Sequence, residues 1–192
     1  YLREHIKHRN LESHPRLGRI YRIKYRNNPR GVKPGMLGKK PGELVAILAH
    51  SNGWWRDTAQ QLIIDAGDDS VVPALIAQAG DHSQPLGQIH ALWTLEGLGR
   101  INLAAIKAAM ASEDLYVLES AIRLAENLPS IDLVEVVPTL EKLTGNPNLV
   151  VQRQLAGSLG RIPSGRSLEL LKKVLLKNID APFFREAAIS GL

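Results

Sequence analysis

The chain has 192 residues, 44% of them hydrophobic, with a formal net charge of +5 and no cysteine. That length suits one domain, or one domain with an extension. No apolar run reaches the roughly eighteen residues a membrane span needs, and the missing cysteines exclude disulfides, thiolate metal sites and covalent haem attachment within this segment.

The charge is uneven. Residues 1–40 carry 12 Lys or Arg against Glu4 and Glu12, whereas residues 41–192 carry 12 basic and 17 acidic residues. A basic arm of this kind suits nucleic acid, an anionic surface or an acidic partner within a larger protein. Dense basic runs are missing and the remainder is acidic, so nucleic acid is the weaker reading. The opening YLREHIKHRN is polar and holds no signal peptide. Tyr1 in place of an initiator Met reads as a mature form or a fragment, and FFREAAISGL runs into a helical pattern at the end.

In chain order, residues 1–14 read as a short helix ending near His14-Pro15. LGRIYRIKY, residues 17–25, mixes Leu17, Ile20 and Ile23 with Tyr21 and Tyr25 and reads as a strand. Residues 26–42 hold three prolines and four glycines and read as a linker or extended arm. This gives two parts: an arm over 1–42 and a helical domain over 43–192.

From Glu43 the text is helical, and it repeats. RDTAQQLI, QIHALWTL, LESAIRLA, RQLAGSLG and REAAISGL share one pattern around Ala59, Ala91, Ala121, Ala156 and Ala188, which are 32, 30, 35 and 32 residues apart. A repeat of about thirty residues built from two helices cannot bury its own apolar face and must stack on its neighbours. The predicted fold is all-α: a HEAT-like, right-handed solenoid of about five helix pairs, the fifth truncated. Small side chains at the alanine position let adjacent helices approach closely. Ser51 or Asn52 is set to cap a helix. Gly67, Gly99 and Gly165 punctuate unit ends, and Pro73 fits a first helical turn. Pro138, inside IDLVEVVPTLEKL, should kink or delay its helix.

Chemistry is sparse. Arg56, Arg153 and Arg185 each stand three residues before an anchor alanine, where Gln88 and Leu118 fill the other two units. They read as partners of a carboxylate or helix end in the neighbouring unit; an anion-binding ladder is the alternative. Asn52-Gly53-Trp54-Trp55-Arg56-Asp57 is the densest cluster of unusual residues. Adjacent tryptophans in a helix point about 100° apart, so at least one should be exposed or at an interface. His90, Trp93, Thr94 and Glu96 share one predicted helix, and a His with a Glu is a weak acid–base signal. His5 and His8 stand at metal-ligand spacing without a convincing third ligand. No catalytic, cofactor-binding or metal residue is assigned. The candidate interface is Trp54, Trp55, Arg56, Asp57, His90 and Trp93.

GRIYRIKY, a Pro-Gly linker, LVAILAHSNGWWRDTAQQLI, VVPALI and HALWTLEGLG together resemble the planctomycete-type membrane-bound dehydrogenase family over residues 17–99. The resemblance implies that GRIYRI closes a β-propeller similar to quinoprotein sugar dehydrogenases. It also implies that a HEAT-like region follows, that a c-type cytochrome comes after it, and that the protein is exported. Residues 1–42 would then hold the last propeller strand and linker. Cofactor and haem ligands would lie outside this segment, leaving it no cofactor, with the propeller and cytochrome domains, or another protein, as partners. A HEAT-like nucleic-acid-binding protein, similar to helical-repeat DNA glycosylases, and a general peptide-binding solenoid are the alternatives.

Overall fold

A computed structural model describes residues 2–10 and 31–192, of which 71% are helical, with no strand among them. The expected strand at 17–25 lies outside the described residues. Two compact units are present, residues 1–33 and residues 34–192. In the first, α1 spans Leu2–His8. It stops short of the expected end at His14-Pro15, because Asn10 turns the backbone to a φ of 54°.

The second unit is a double layer of helices, and every repeat supplies one helix to each layer. α2 (Pro41–Val45) is paired with α3 (Gly53–Ala66), α4 (Val72–Ala79) with α5 (Pro85–Gly97), and α6 (Leu103–Ala109) with α7 (Leu115–Ala125). α8 (Ser130–Leu143) is paired with α9 (Leu149–Leu159), and α10 (Gly165–Lys177) with α11 (Phe184–Gly191). The even-numbered helices pack in sequence on one side and the odd-numbered on the other. The fifth unit supplies both helices, and its α11, at 8 residues, is shorter than the other odd-numbered helices of the stack.

The alanine register explains the odd-numbered layer. Ala59, Ala91, Ala121 and Ala156 are fully buried and Ala188 is nearly so. Ile63, Leu92, Leu95, Ile122, Leu155 and Leu159 fill the core around them. α9 and α11 approach to backbone contact. A Cβ added at Gly160 would stand 2.7 Å from the Gly191 carbonyl oxygen, and Gly157 and Gly191 face each other even more tightly. Only glycine fits at positions 160 and 191, whereas a Cβ at Gly157 would meet nothing nearer than the Ala187 carbonyl at 3.7 Å.

Asx residues start four of the α-helices. Asn52 accepts from the Trp54 amide, Asn102 from Ala105, Asn148 from Val150, and Asp114 from both Tyr116 and Val117. Each satisfies amides that have no partner within the helix. Gly67 and Gly99 follow helix ends at positive φ, as expected, whereas Gly165 opens α10 instead of closing a unit.

Two further expectations change. α8 runs unbroken through Pro138. The proline removes only the bond to the Val134 carbonyl, and both residues lie on the exposed side of the helix, within reach of water. The compact unit also begins earlier than residue 43, because Met36 is buried in the core and α2 starts at Pro41.

Candidate functional site

The HSNGWWRD segment between the first two helices of the repeat region folds into a self-locking turn. The His50 ring stacks on Trp55 with centroids 4.4 Å apart and planes 9° from parallel. Its Nδ1 accepts a hydrogen bond from the Asn52 amide at 3.0 Å. Asn52 then caps α3 through the Trp54 amide. Arg56, half-buried on the first turn of α3, reaches back to donate to the carbonyls of His50 at 2.6 Å and Ser51 at 3.1 Å. His50, Asn52 and Arg56 thus satisfy backbone that the tight turn leaves unpaired.

The two tryptophans take different roles. Trp55 packs against the core. Trp54 is 58% exposed and, with Thr58, forms one wall of an apolar groove of about 470 Å³. The other wall is the chain from Pro34 to Gly38, where Leu37 is also exposed. An exposed indole beside exposed leucine is a surface that binding would desolvate favourably.

Asp57, one residue past Arg56, points toward the next unit. It lies 4.0 Å from Nε2 of His90 on α5, whose Nδ1 is 2.8 Å from Gln60 Oε1. Burial lowers the His90 pKa below the ordinary value of 6.5, and the nearby Arg56 charge lowers it further, against the pull of Asp57. His90 is therefore a neutral imidazole bridging two units at neutral pH. Glu96 does not join it: its carboxylate faces Asn127 on the far side. Trp93 is half-buried against the core. Among the described residues, no group of three or more His, Cys, Asp or Glu is placed to hold a metal, and no helix is long and apolar enough to cross a membrane.

The structure corrects the reading of the arginines. Arg56 bonds the turn of its own unit, not the neighbouring one. Its counterparts, counted from the start of each odd-numbered helix, are Gln88 and Gln152, each four residues past the capping position. Gln88 donates to the Ala79 carbonyl at 2.8 Å. Gln152 Nε2 faces the carbonyls of Leu143, Thr144 and Asn146 at 3.1, 3.1 and 2.8 Å. Arg153, one residue on, is rotated away from the turn and makes no hydrogen bond or ion pair among the described residues. Arg185 is exposed and likewise without such a partner. The buried glutamines were missed because Gln was read only as a gap in an arginine pattern. The available signal was the polar residue four positions past the capping positions Asn52, Gln84 and Asn148; Asp114 and Asn102 are followed there by Leu118 and Ile106.

Residues 102–192, which contain α6 to α11, match the family model for HEAT repeats. No curated protein and no solved structure matches the chain. The first two helix pairs lie outside the matched span yet follow the same two-layer plan. The chain is a helical-repeat scaffold or interaction region.

Proposed function

We propose that this segment is the non-catalytic scaffold of a multidomain, exported dehydrogenase, holding a propeller domain and a cytochrome domain in register. The observation that carries this reading is the Trp54 groove, built from the HSNGWWRD motif of the resemblance and from residues 34–38. Those residues open the second compact unit, and the groove they form with Trp54 and Thr58 is apolar and open to a partner. The motif residues are used for turn geometry and for presenting Trp54, not for catalysis: Asn52 and Arg56 are spent on backbone, and His90 on an interhelical bridge. The dehydrogenase chemistry, its quinone-type cofactor and its haem would belong to the domains on either side.

The reading frame flanking this segment tests the proposal. Propeller repeats upstream and a C-x-x-C-H motif downstream are expected, and a frame encoding neither overturns it. The pure chain, supplied with a quinone cofactor and an artificial electron acceptor, is expected to turn over no sugar or alcohol. Turnover would assign catalysis to the repeats themselves.

A further inference from the structure

A second feature lies at the other end of the odd-numbered layer. Arg123 at the end of α7, Arg153 and Gln154 on α9, Arg161 just past α9, and Ser190 on α11 line a groove of about 280 Å³. Behind it sits Glu126, its side chain only 6% exposed. Arg123 Nη1 donates to both Glu126 oxygens, at 3.0 and 2.9 Å. Ser158 Oγ donates to Oε1 at 2.6 Å, and Arg161 Nε lies 3.4 Å from Oε2. Arg161 Nη2 also donates to the Ser190 carbonyl at 2.8 Å.

Glu126 thereby holds two guanidinium groups, those of Arg123 and Arg161, at the lining of the groove. Arg153 is half-buried and brings five unpaired donors to the same place. Three arginines face one carboxylate, an excess of two positive charges in a region of net negative sequence. α9 carries no acidic residue, and Glu119 on α7 and Glu186 on α11 form no ion pair with these arginines. A half-buried cation without an anion has lost hydration and gained no partner. Planar guanidinium forks fit the oxygens of phosphate bidentately, and holding them in advance lowers the cost of binding. With about 30 Å³ per water, the groove has room for a phosphate and part of its hydration shell.

We propose that the groove of Arg123, Arg153 and Arg161 is a binding site for a dianionic phosphoryl group, the buried Glu126 acting as the strut that positions two of the three arginines. The proposal is independent of the dehydrogenase reading, since it concerns a different face and a different chemistry.

The test is titration of the full chain, at low ionic strength, with inorganic phosphate and with a short phosphoserine peptide, its unphosphorylated form as control. Saturable one-to-one binding that weakens with salt is expected. Arg153→Gln should weaken it at least ten-fold while leaving the thermal midpoint of the free protein unchanged. Arg153→Lys, which keeps the charge and loses the fork, should fall between. Arg100→Gln, at the exposed pair with Asp69 elsewhere on the surface, should bind as the parent does. A phosphopeptide bound at least ten-fold more tightly than phosphate places the phosphoryl group on a protein partner; equal affinities make free phosphate the ligand. Absence of saturable binding for both probes overturns the proposal. So does binding that survives both Arg153 substitutions, or equal binding of the unphosphorylated peptide.

Discussion

Arg56 and Arg153 stand in identical sequence settings, three residues before a buried alanine, and meet opposite fates. At the start of α3, Arg56 folds back and ties down the turn that precedes it. At the start of α9 that task belongs to Gln152, and Arg153 is turned outward into the Arg123–Arg161 groove. One residue along a helix is a rotation of about 100°, enough to move a side chain from the turn to the open layer. The alanines mark which helices pair. The caps, Asn52 and Asn148, mark which side chains reach the turn. In α3 the two registers agree; in α9 they differ by one residue.

The largest effect that can break this comparison is expected from Gln152→Ala. Its amide has two hydrogens for three carbonyls; that of Leu143 keeps the Asn146 amide, whereas those of Thr144, buried, and Asn146, half-buried, lose their side-chain partner. With unsatisfied buried groups costing about 1–3 kcal/mol each, a loss of about 3 kcal/mol is expected in urea unfolding. A loss below about 1 kcal/mol would mean that water replaces the glutamine. Arg56→Ala should cost less, about 2 kcal/mol, because one of its two bonds, to the Ser51 carbonyl, is exposed, so water can replace it. The same measurement checks it.

A smaller effect is expected from pH. Because burial lowers the His90 pKa in the folded protein, the unfolded chain binds the proton more readily. Stability due to His90 is therefore complete above the ordinary value of 6.5 and declines as pH falls below it. The thermal midpoint should drop between pH 7 and pH 5 in the parent and drop less in His90→Gln. Identical slopes in the two proteins would remove His90 from the pH response. The smallest effect belongs to Arg153→Ala, expected within about 0.5 kcal/mol of the parent. A loss equal to that of Arg56→Ala would restore the alanine-based register and undo the comparison.

Much of the helical plan can be read from the residues. Ala59, Ala91, Ala121, Ala156 and Ala188 place the five odd-numbered helices, and Asn52 and Gly67 bound α3 where capping chemistry says they should. What failed was whatever depends on rotation about a helix or on contacts between distant segments. Pro138 was judged by its missing N–H, but the carbonyl it orphans faces water. Met36 was placed in a linker because prolines and glycines surround it, and only the folded chain brings it under the core. That Trp54 and Trp55 point apart, with one of them exposed, was legible from helix geometry; which one is exposed was not, and it follows from the His50 ring, which stacks on Trp55 and leaves Trp54 bare. The Arg123, Arg161 and Glu126 cluster went unnoticed because Arg161 comes from the repeat after that of Arg123 and Glu126, and each alone reads as a solvated charge.

The glycine contact between α9 and α11 has a mechanical consequence. A stack of repeats behaves as a row of springs in series, each joint yielding in proportion to how far its helices can slide or tilt. Joints cushioned by side chains, such as the Gln60–His90 bridge between α3 and α5, can give by rotamer change. Where Gly157 and Gly160 meet Gly191, backbone touches backbone and nothing soft remains to compress. Bending of the array should therefore concentrate in its earlier joints. The phosphate groove, mounted on the stiffest one, would keep its shape while the Trp54 end flexes.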